Sequence, residues 1–135
     1  MAVGKYNFVI EQGSTVDFEI QYKDSASVPV DLYSHHAKMQ LRSGYGSDAK
    51  LYLTLSSSLD TCGGGLNLSG SKSDSTYPKP LASGAIGIYI TGYSSSFLDF
   101  NEAYYDLELY SGSGTCQTVT RVLEGKIKLS KEVTV

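Results

Sequence analysis

A two-residue alternation of apolar and polar side chains recurs along most of this chain and limits what it can fold into. Between residues 15 and 22, every even position is Val, Phe, Ile or Tyr and every odd position is polar. Such a period is typical of a β-strand with one buried and one solvated face. The pattern recurs at 5–11, 37–42, 50–55, 85–91, 104–110 and 117–129. It predicts an all-β protein with no amphipathic helix longer than about two turns.

The alternation also predicts which side chains face the core. The inward residues are expected to be Ala37, Met39, Leu41, Leu51, Leu53, Leu55, Ile86, Ile88, Ile90, Tyr105, Leu107 and Leu109. Residues 94–100 suggest a short turn of helix, and 66–68 suggest a small strand. Gly125 interrupts the last strand and predicts a bulge or bend. Residues 133–135 are expected to continue that strand and to offer an edge to a neighbour.

Seven or eight short strands separated by turn residues predict a sandwich or barrel. A chain of 135 residues is long enough for one domain with its own core, so we assign 1–135 to a single domain. Residues 56–84 are rich in Gly, Ser and Pro, and they form a long irregular excursion. A connection of this length is either a functional excursion or a mobile insertion.

Composition argues against several classes of partner. The net charge is −3 and no basic stripe is visible, so a nucleic-acid partner is not expected. No apolar stretch approaches the ~20 residues that span a bilayer, and no secretory signal is recognisable, so no membrane partner is expected. Cys62 and Cys116 lie in Gly/Ser-rich stretches. Free thiols are favoured there, with a disulfide as the alternative.

No arrangement of residues predicts catalysis. His35 and His36 are adjacent, so on a strand they point to opposite faces and no metal site is expected. The Gly triplet at 63–65 lacks the Lys-Ser/Thr of a phosphate-binding loop. Two carboxylate pairs, Asp17/Glu19 and Asp106/Glu108, are expected on solvated strand faces rather than as acid–base pairs. We therefore expect no enzyme, no catalytic residue and no cofactor.

The eleven tyrosines are the most suggestive side chains for binding. Exposed Tyr residues bring large contact area at low entropic cost. Tyr45, Tyr52, Tyr89 and Tyr93 are predicted to contribute to a contact surface. Docking of another protein chain is favoured over sugar binding, which stays open as the alternative.

Residues 101–107 are similar to the start of strand F in immunoglobulin-type domains. There a turn residue, a small residue and a Tyr alternate, matched here by Asn101, Ala103 and Tyr105. The resemblance implies that Tyr105 is a tyrosine corner, with its hydroxyl bonded back to loop backbone. Leu107 stands where antibody domains have their second cysteine, and the chain has no Trp. An immunoglobulin-like antiparallel sandwich of seven to nine strands with Greek-key connections is therefore expected, not an antibody domain.

A closer resemblance extends over most of the chain. Gln-Gly-Ser-Thr at 12–15, Pro-Val-Asp-Leu at 29–32 and the segments 37–42, 84–88, 104–107 and 121–127 carry it. They resemble small immunoglobulin-like proteins of tailed bacteriophages. The resemblance implies a non-catalytic structural or accessory role in a virion, tail or baseplate, for a protein made in the host cytoplasm. Its partners would be other virion proteins or further copies of itself. The alternative is a carbohydrate-binding or cell-surface adhesion module on the same fold.

Overall fold

The computed structural model describes residues 4–131 except 47, 63 and 113. Nine strands, one short α-helix and two 3₁₀ turns make up the described chain, which confirms the all-β prediction. The strands are β1 (Gly4–Lys5), β2 (Phe8–Glu11), β3 (Val16–Gln21), β4 (His36–Arg42), β5 (Leu51–Ser56), β6 (Gly65–Asn67), β7 (Ala85–Ile90), β8 (Glu102–Ser111) and β9 (Thr118–Ser130). The helix is α1 (Gly92–Ser96), and the 3₁₀ turns are Leu81–Ser83 and Gly114–Cys116.

The strands form two sheets with immunoglobulin-like order. The larger sheet runs β1-β9-β8-β4-β5, with β2 also paired to β9, and the smaller sheet runs β3-β7-β6. In immunoglobulin terms the smaller sheet is B-E-D, and β9-β8-β4-β5 is the G-F-C sheet with the extra strand of variable-type domains. The first two strands pair with β9 in parallel, whereas all other pairings are antiparallel. Alternation indicates which face of a sheet a residue occupies, but not whether the neighbouring strand runs parallel or antiparallel. The parallel pairing at this edge was therefore not predictable from it.

The core lies between the two sheets, where the alternation places it. Ile86, Ile88 and Ile90 of β7 are fully buried, and they belong to one apolar cluster with Ala37, Met39 and Leu41 of β4. Tyr105, Leu107 and Leu109 of β8 extend the same cluster. Residues from both sheets therefore share a single core, as a sandwich requires.

A bulge corrects the predicted orientation of Leu51. Leu41 pairs with Leu53, but Arg42 pairs with Leu51, so Tyr52 is an extra residue in β5. One added residue turns the following side chains to the opposite face. Leu51 is consequently 44% exposed, whereas Leu55 is buried as predicted and Leu53 is half-buried.

Gly125 has a different role from the predicted bulge. The irregularity in β9 lies three residues earlier, at Val122, which is skipped between the pairs Leu107–Leu123 and Glu108–Arg121. At Gly125 there is no bulge; the chain between β1 and β2 crosses over β9 there. A β-carbon there would sit far inside contact distance of the Tyr6 carbonyl oxygen.

The predicted free edge at the last strand is also wrong for most of β9. This strand pairs with β8 on one side and with β1 and β2 on the other. Its first residues, 118–121, have described pairing only to β8. Residues 133–135, expected to continue the strand, lie outside the described part of the chain.

Much of the irregular excursion at 56–84 is bonded to the smaller sheet. It contains β6, paired with β7, one residue earlier than the predicted small strand. Residues 68–80, here called the strap, lie across the outer face of β3 and β7. The Ser71 amide donates to Glu19 Oε1 at 2.9 Å, and Lys79 forms an ion pair with the same carboxylate. A β-carbon on Gly87 would lie 2.5 Å from the Gly70 carbonyl oxygen, so the strap needs a glycine beneath it.

Candidate contact surface

The connection from β7 to β8, residues 91–101, is held firmly at one end of the sandwich. Thr91 caps α1, accepting the Ser94 amide on its hydroxyl oxygen at 3.1 Å. Ser95 is fully buried and donates its hydroxyl to the Ser14 carbonyl at 2.7 Å. Gln12 Nε2 donates to the Leu98 carbonyl at 2.8 Å. These bonds tie the connection to the β2–β3 turn.

Two aromatic rings project from this fixed connection. Tyr93 and Phe97 are 77% and 70% exposed, and their ring centroids are 4.9 Å apart at an interplanar angle of 81°. They stand four residues apart, which places them side by side on a helical turn. We call this pair the aromatic knob. Large apolar surface in water on a rigid support is the usual property of an interface anchor.

A groove lies on the outer face of the larger sheet, at the same end as the β4–β5 loop. It has a cavity volume of about 330 Å³. Its lining includes Gln40, Arg42, Tyr45, Tyr104, Asp106 and Glu108, together with Arg121. β4, β8 and β9 supply neighbouring outward positions, because Gln40 pairs with Asp106 and Glu108 pairs with Arg121. We refer to this feature as the groove.

Bonds within the groove hold its polar side chains in place. Arg42 Nε donates to Gln40 Oε1 at 3.1 Å, and Arg42 Nη1 donates to the Ala49 carbonyl at 3.1 Å. Arg121 Nε lies 3.4 Å from Asp106 Oδ2. The Tyr45 and Tyr104 rings are 5.1 Å apart, and Lys126 Nζ is 5.4 Å from the centre of the Tyr104 ring. The result is an aromatic wall beside polar groups, of which Gln40 and Arg42 are bonded to each other and Asp106 is paired with Arg121.

The four tyrosines predicted for contact fall in four surroundings. Tyr93 is in the knob and Tyr45 is in the groove, each 77% exposed. Tyr52 is half-buried, with its ring 4.7 Å from that of Phe100. Tyr89 is half-buried and faces a separate cavity of about 300 Å³ next to the strap. The structure therefore places two of the four on open surface, and their contribution to binding stays a prediction.

Tyr105 bonds backbone, but at a place that the immunoglobulin pattern does not imply. Its hydroxyl donates to the Tyr6 carbonyl at 2.5 Å, 99 residues upstream. Burial, with a smaller electrostatic contribution from Tyr6, raises the pKa of the Tyr105 phenol well above its usual range. The bond joins β8 to the crossing between β1 and β2, rather than to the loop before β8.

The remaining sequence candidates occupy ordinary positions. His36 opens β4 and is exposed, and His35 is partly exposed. Cys62 and Cys116 are exposed free thiols. Asp17 is exposed as predicted, whereas Glu19 is half-buried, and both accept bonds from the strap. Within the described residues there is no cluster of three or more potential metal-ligating side chains, and no helix has the length and apolarity to cross a membrane.

Sequence reasoning missed Phe97 and the combination of residues in the groove. The spacing of Tyr93 and Phe97 was the available signal, since four residues is one helical turn. Asp106 and Glu108 were recognised as sharing an outward face, but Gln40 and Arg42 join them only through strand pairing. Pairing register is a long-range property that no local pattern encodes.

Comparison with other proteins adds no relative to this description: no protein-family model matches the chain, and none of the curated proteins matches it.

Proposed function

We propose that this chain is a non-catalytic structural or accessory protein of a tailed-phage particle, acting through contacts with other protein chains. The aromatic knob is the observation that carries the proposal. Interface energy concentrates in a few aromatic and Arg anchors, and burial of such rings stabilises a complex most when they are already ordered. Tyr93 and Phe97 meet both conditions, because the buried Ser95 fixes the turn that bears them.

The proposal of a tailed-phage particle is supported by the sequence resemblance. The segments at 12–15, 29–32 and 37–42 that resemble phage proteins lie in the β2–β3 turn, in the β3–β4 connection and in β4. The first of these segments supplies the Ser14 carbonyl that anchors α1. One of the segments that carry the resemblance, 12–15, thus supports the connection that bears the knob.

The test combines location with a matched pair of variants. In the phage that encodes the chain, mass spectrometry of purified particles should detect it. The double variant Tyr93→Ser/Phe97→Ser should be incorporated at least tenfold less, while its circular dichroism stays unchanged. Tyr33→Ser is the control, because Tyr33 is 72% exposed in the β3–β4 connection.

Two results would count against this proposal. If purified particles lacked the chain, the proposal that it is a component of the virion would be wrong. If the knob variant and the Tyr33→Ser control were incorporated equally, the knob would not be part of the contact.

A carbohydrate-binding or adhesion module is the second candidate function. The groove is the observation that favours it, because an aromatic wall beside carboxylate and amide groups suits a sugar ring.

A further inference from the structure

The groove can be matched to a ligand class by its shape. Its floor is formed by the outer faces of β4, β8 and the start of β9, where residues 118–121 have described pairing only to β8. Peptides that add a strand need a free sheet edge, and peptides that bind as helices need an apolar groove. A strand added at the free start of β9 would lie beside β9 in the plane of the sheet and not over this outer face, and the lining is largely polar. The common modes of extended or helical peptide recognition therefore do not fit it.

Charge narrows the ligand further. The lining has two guanidinium groups, on Arg42 and Arg121, and two carboxylates, on Asp106 and Glu108. The formal charges of these four groups cancel, and Lys126 beside Tyr104 is paired with Glu102 at 3.9 Å, so the groove attracts neither anions nor cations strongly. Nucleic acids and anionic polymers require a net positive surface. A neutral ligand fits the groove best.

The unused bonding capacity suits hydroxyl groups. Gln40 uses its amide oxygen for Arg42, and no described side chain bonds its amide nitrogen. The Glu108 carboxylate has no side-chain partner among the described residues, and Asp106 holds Arg121 with one oxygen only. Within the described chain, the floor thus offers a free amide donor on Gln40 and free carboxylate acceptors on Asp106 and Glu108. A hydroxyl group both donates and accepts, so a polyhydroxylated ring can satisfy them together.

The aromatic wall supplies the apolar contact that such a ring needs. Tyr45 is held over the groove by a loop closed at its base, where the Ser43 amide donates to the Lys50 carbonyl at 2.9 Å and the Lys50 amide donates to Ser43 Oγ at 2.9 Å. Its ring lies against Tyr104 and is otherwise mostly open to solvent. The volume is at the lower end of that of small-ligand sites, which span roughly 300–1,000 Å³.

We propose that the groove binds a neutral saccharide, with Tyr45 packed against the sugar ring and with Gln40, Asp106 and Glu108 bonded to its hydroxyls. The inference gives residues and a ligand class to the second candidate function above. It does not depend on the aromatic knob.

The experiment is a titration of ¹⁵N-labelled protein with defined neutral glycans, monitored by amide chemical shifts. The probes are the methyl glycosides of glucose, galactose and mannose, N-acetylglucosamine, and their neutral oligosaccharides. At least one should shift the amides of Gln40, Tyr45 and Asp106. Tyr45→Ala and Glu108→Gln should each weaken that binding about tenfold. Tyr33→Ala, a control at a tyrosine that is 72% exposed and lies outside both the groove and the knob, should bind the glycan as the wild type does.

Several outcomes would overturn the proposal. These are no response to any neutral glycan, a response confined to the cavity beside Tyr89, or unchanged affinity in Tyr45→Ala. Binding of sialylated or phosphorylated glycans alone would exclude a neutral ligand. Groove shifts that depend on protein concentration and not on glycan would make the groove a self-association face.

The same variants keep the two proposals apart. Tyr45→Ala tests the groove without touching the knob, and Tyr93→Ser/Phe97→Ser tests the knob without touching the groove. Either proposal can therefore fail while the other stands.

Discussion

At the scale of single residues, Gly125 shows how one position closes the sandwich. The Tyr6 amide donates to the Glu124 carbonyl at 3.0 Å, and the Lys126 amide donates to Asn7 Oδ1 at 2.9 Å. The N-terminal chain thus crosses directly over Gly125 as it passes from β1 to β2. Only a residue without a β-carbon leaves room for the Tyr6 carbonyl.

Gly125→Ala should therefore destabilise the protein by about 1–3 kcal/mol, the usual cost of forcing extra atoms into a packed site. The measurement is urea unfolding monitored by circular dichroism. Gly44→Ala is the matched control, because a β-carbon at Gly44 meets no heavy atom within 4 Å. Equal unfolding midpoints for the two variants would contradict the crossing.

Because of the buried Tyr105 hydroxyl, we expect the free energy of unfolding to depend on pH in the alkaline range. Its pKa in the folded state is raised by burial above the unfolded value of about 10. Its contribution to stability is therefore fully present below about pH 10 and decreases as pH rises further, because only the unfolded chain ionises readily. Tyr105→Phe should remove part of that decrease and should cost about 1 kcal/mol at neutral pH, from the lost bond to Tyr6.

Urea unfolding of both proteins at neutral and alkaline pH would measure this effect. If the stability of the wild type falls above pH 10 no more than that of Tyr105→Phe, the Tyr105 phenol does not cause the loss of stability.

At the scale of elements, the strap is held to the smaller sheet by carboxylates. Asp17 Oδ1 accepts the Ser71 hydroxyl at 2.6 Å, and Glu19 accepts the Ser71 amide and the Lys79 ammonium. The bond to Glu19 is the main cause of the raised pKa of Lys79. The Thr76 amide is the main cause of the lowered pKa of Asp74, a second carboxylate next to Lys79.

Glu19→Gln should loosen the strap without unfolding the sandwich. An amide oxygen still accepts one bond but no longer attracts the Lys79 ammonium. Amide exchange at Ser71 should become about tenfold faster, while exchange in β7 stays unchanged. Glu11→Gln, an exposed carboxylate on β2, is the control. Unchanged exchange at Ser71 in Glu19→Gln would show that other contacts hold the strap.

At the scale of the whole molecule, local alternation predicted most of the strands and most of the core. It placed Met39, Ile88 and Leu107 inside because each strand there has one buried face. It failed at Leu51, where a bulge adds a residue, and at the parallel pairing of β1 and β2. Both features depend on which strands become neighbours, and this is settled by long-range packing rather than by local pattern.

The candidate sites were less predictable than the fold. Single tyrosines were recognised, yet the knob needs the pair Tyr93 and Phe97, and the groove needs three strands in register. Glu19 was expected in water because its strand alternates, and the strap that covers it comes from 52 residues further along the chain. A surface is assembled from distant segments, so its chemistry emerges only with the fold.

The core that the two sheets share must stabilise the whole molecule without a disulfide bond. Cys62 follows β5 and Cys116 precedes β9, and both are exposed and unbonded. A bridge between them would close a loop of about 50 residues and would add roughly 4 kcal/mol. Because the core already joins both sheets, the unfolding midpoint should be the same with and without a reductant. The Cys62→Ser/Cys116→Ser variant should unfold within about 0.5 kcal/mol of the wild type, as surface substitutions usually do. A midpoint that falls on reduction in the wild type, and not in the double variant, would mean that a disulfide helps to hold the sandwich together.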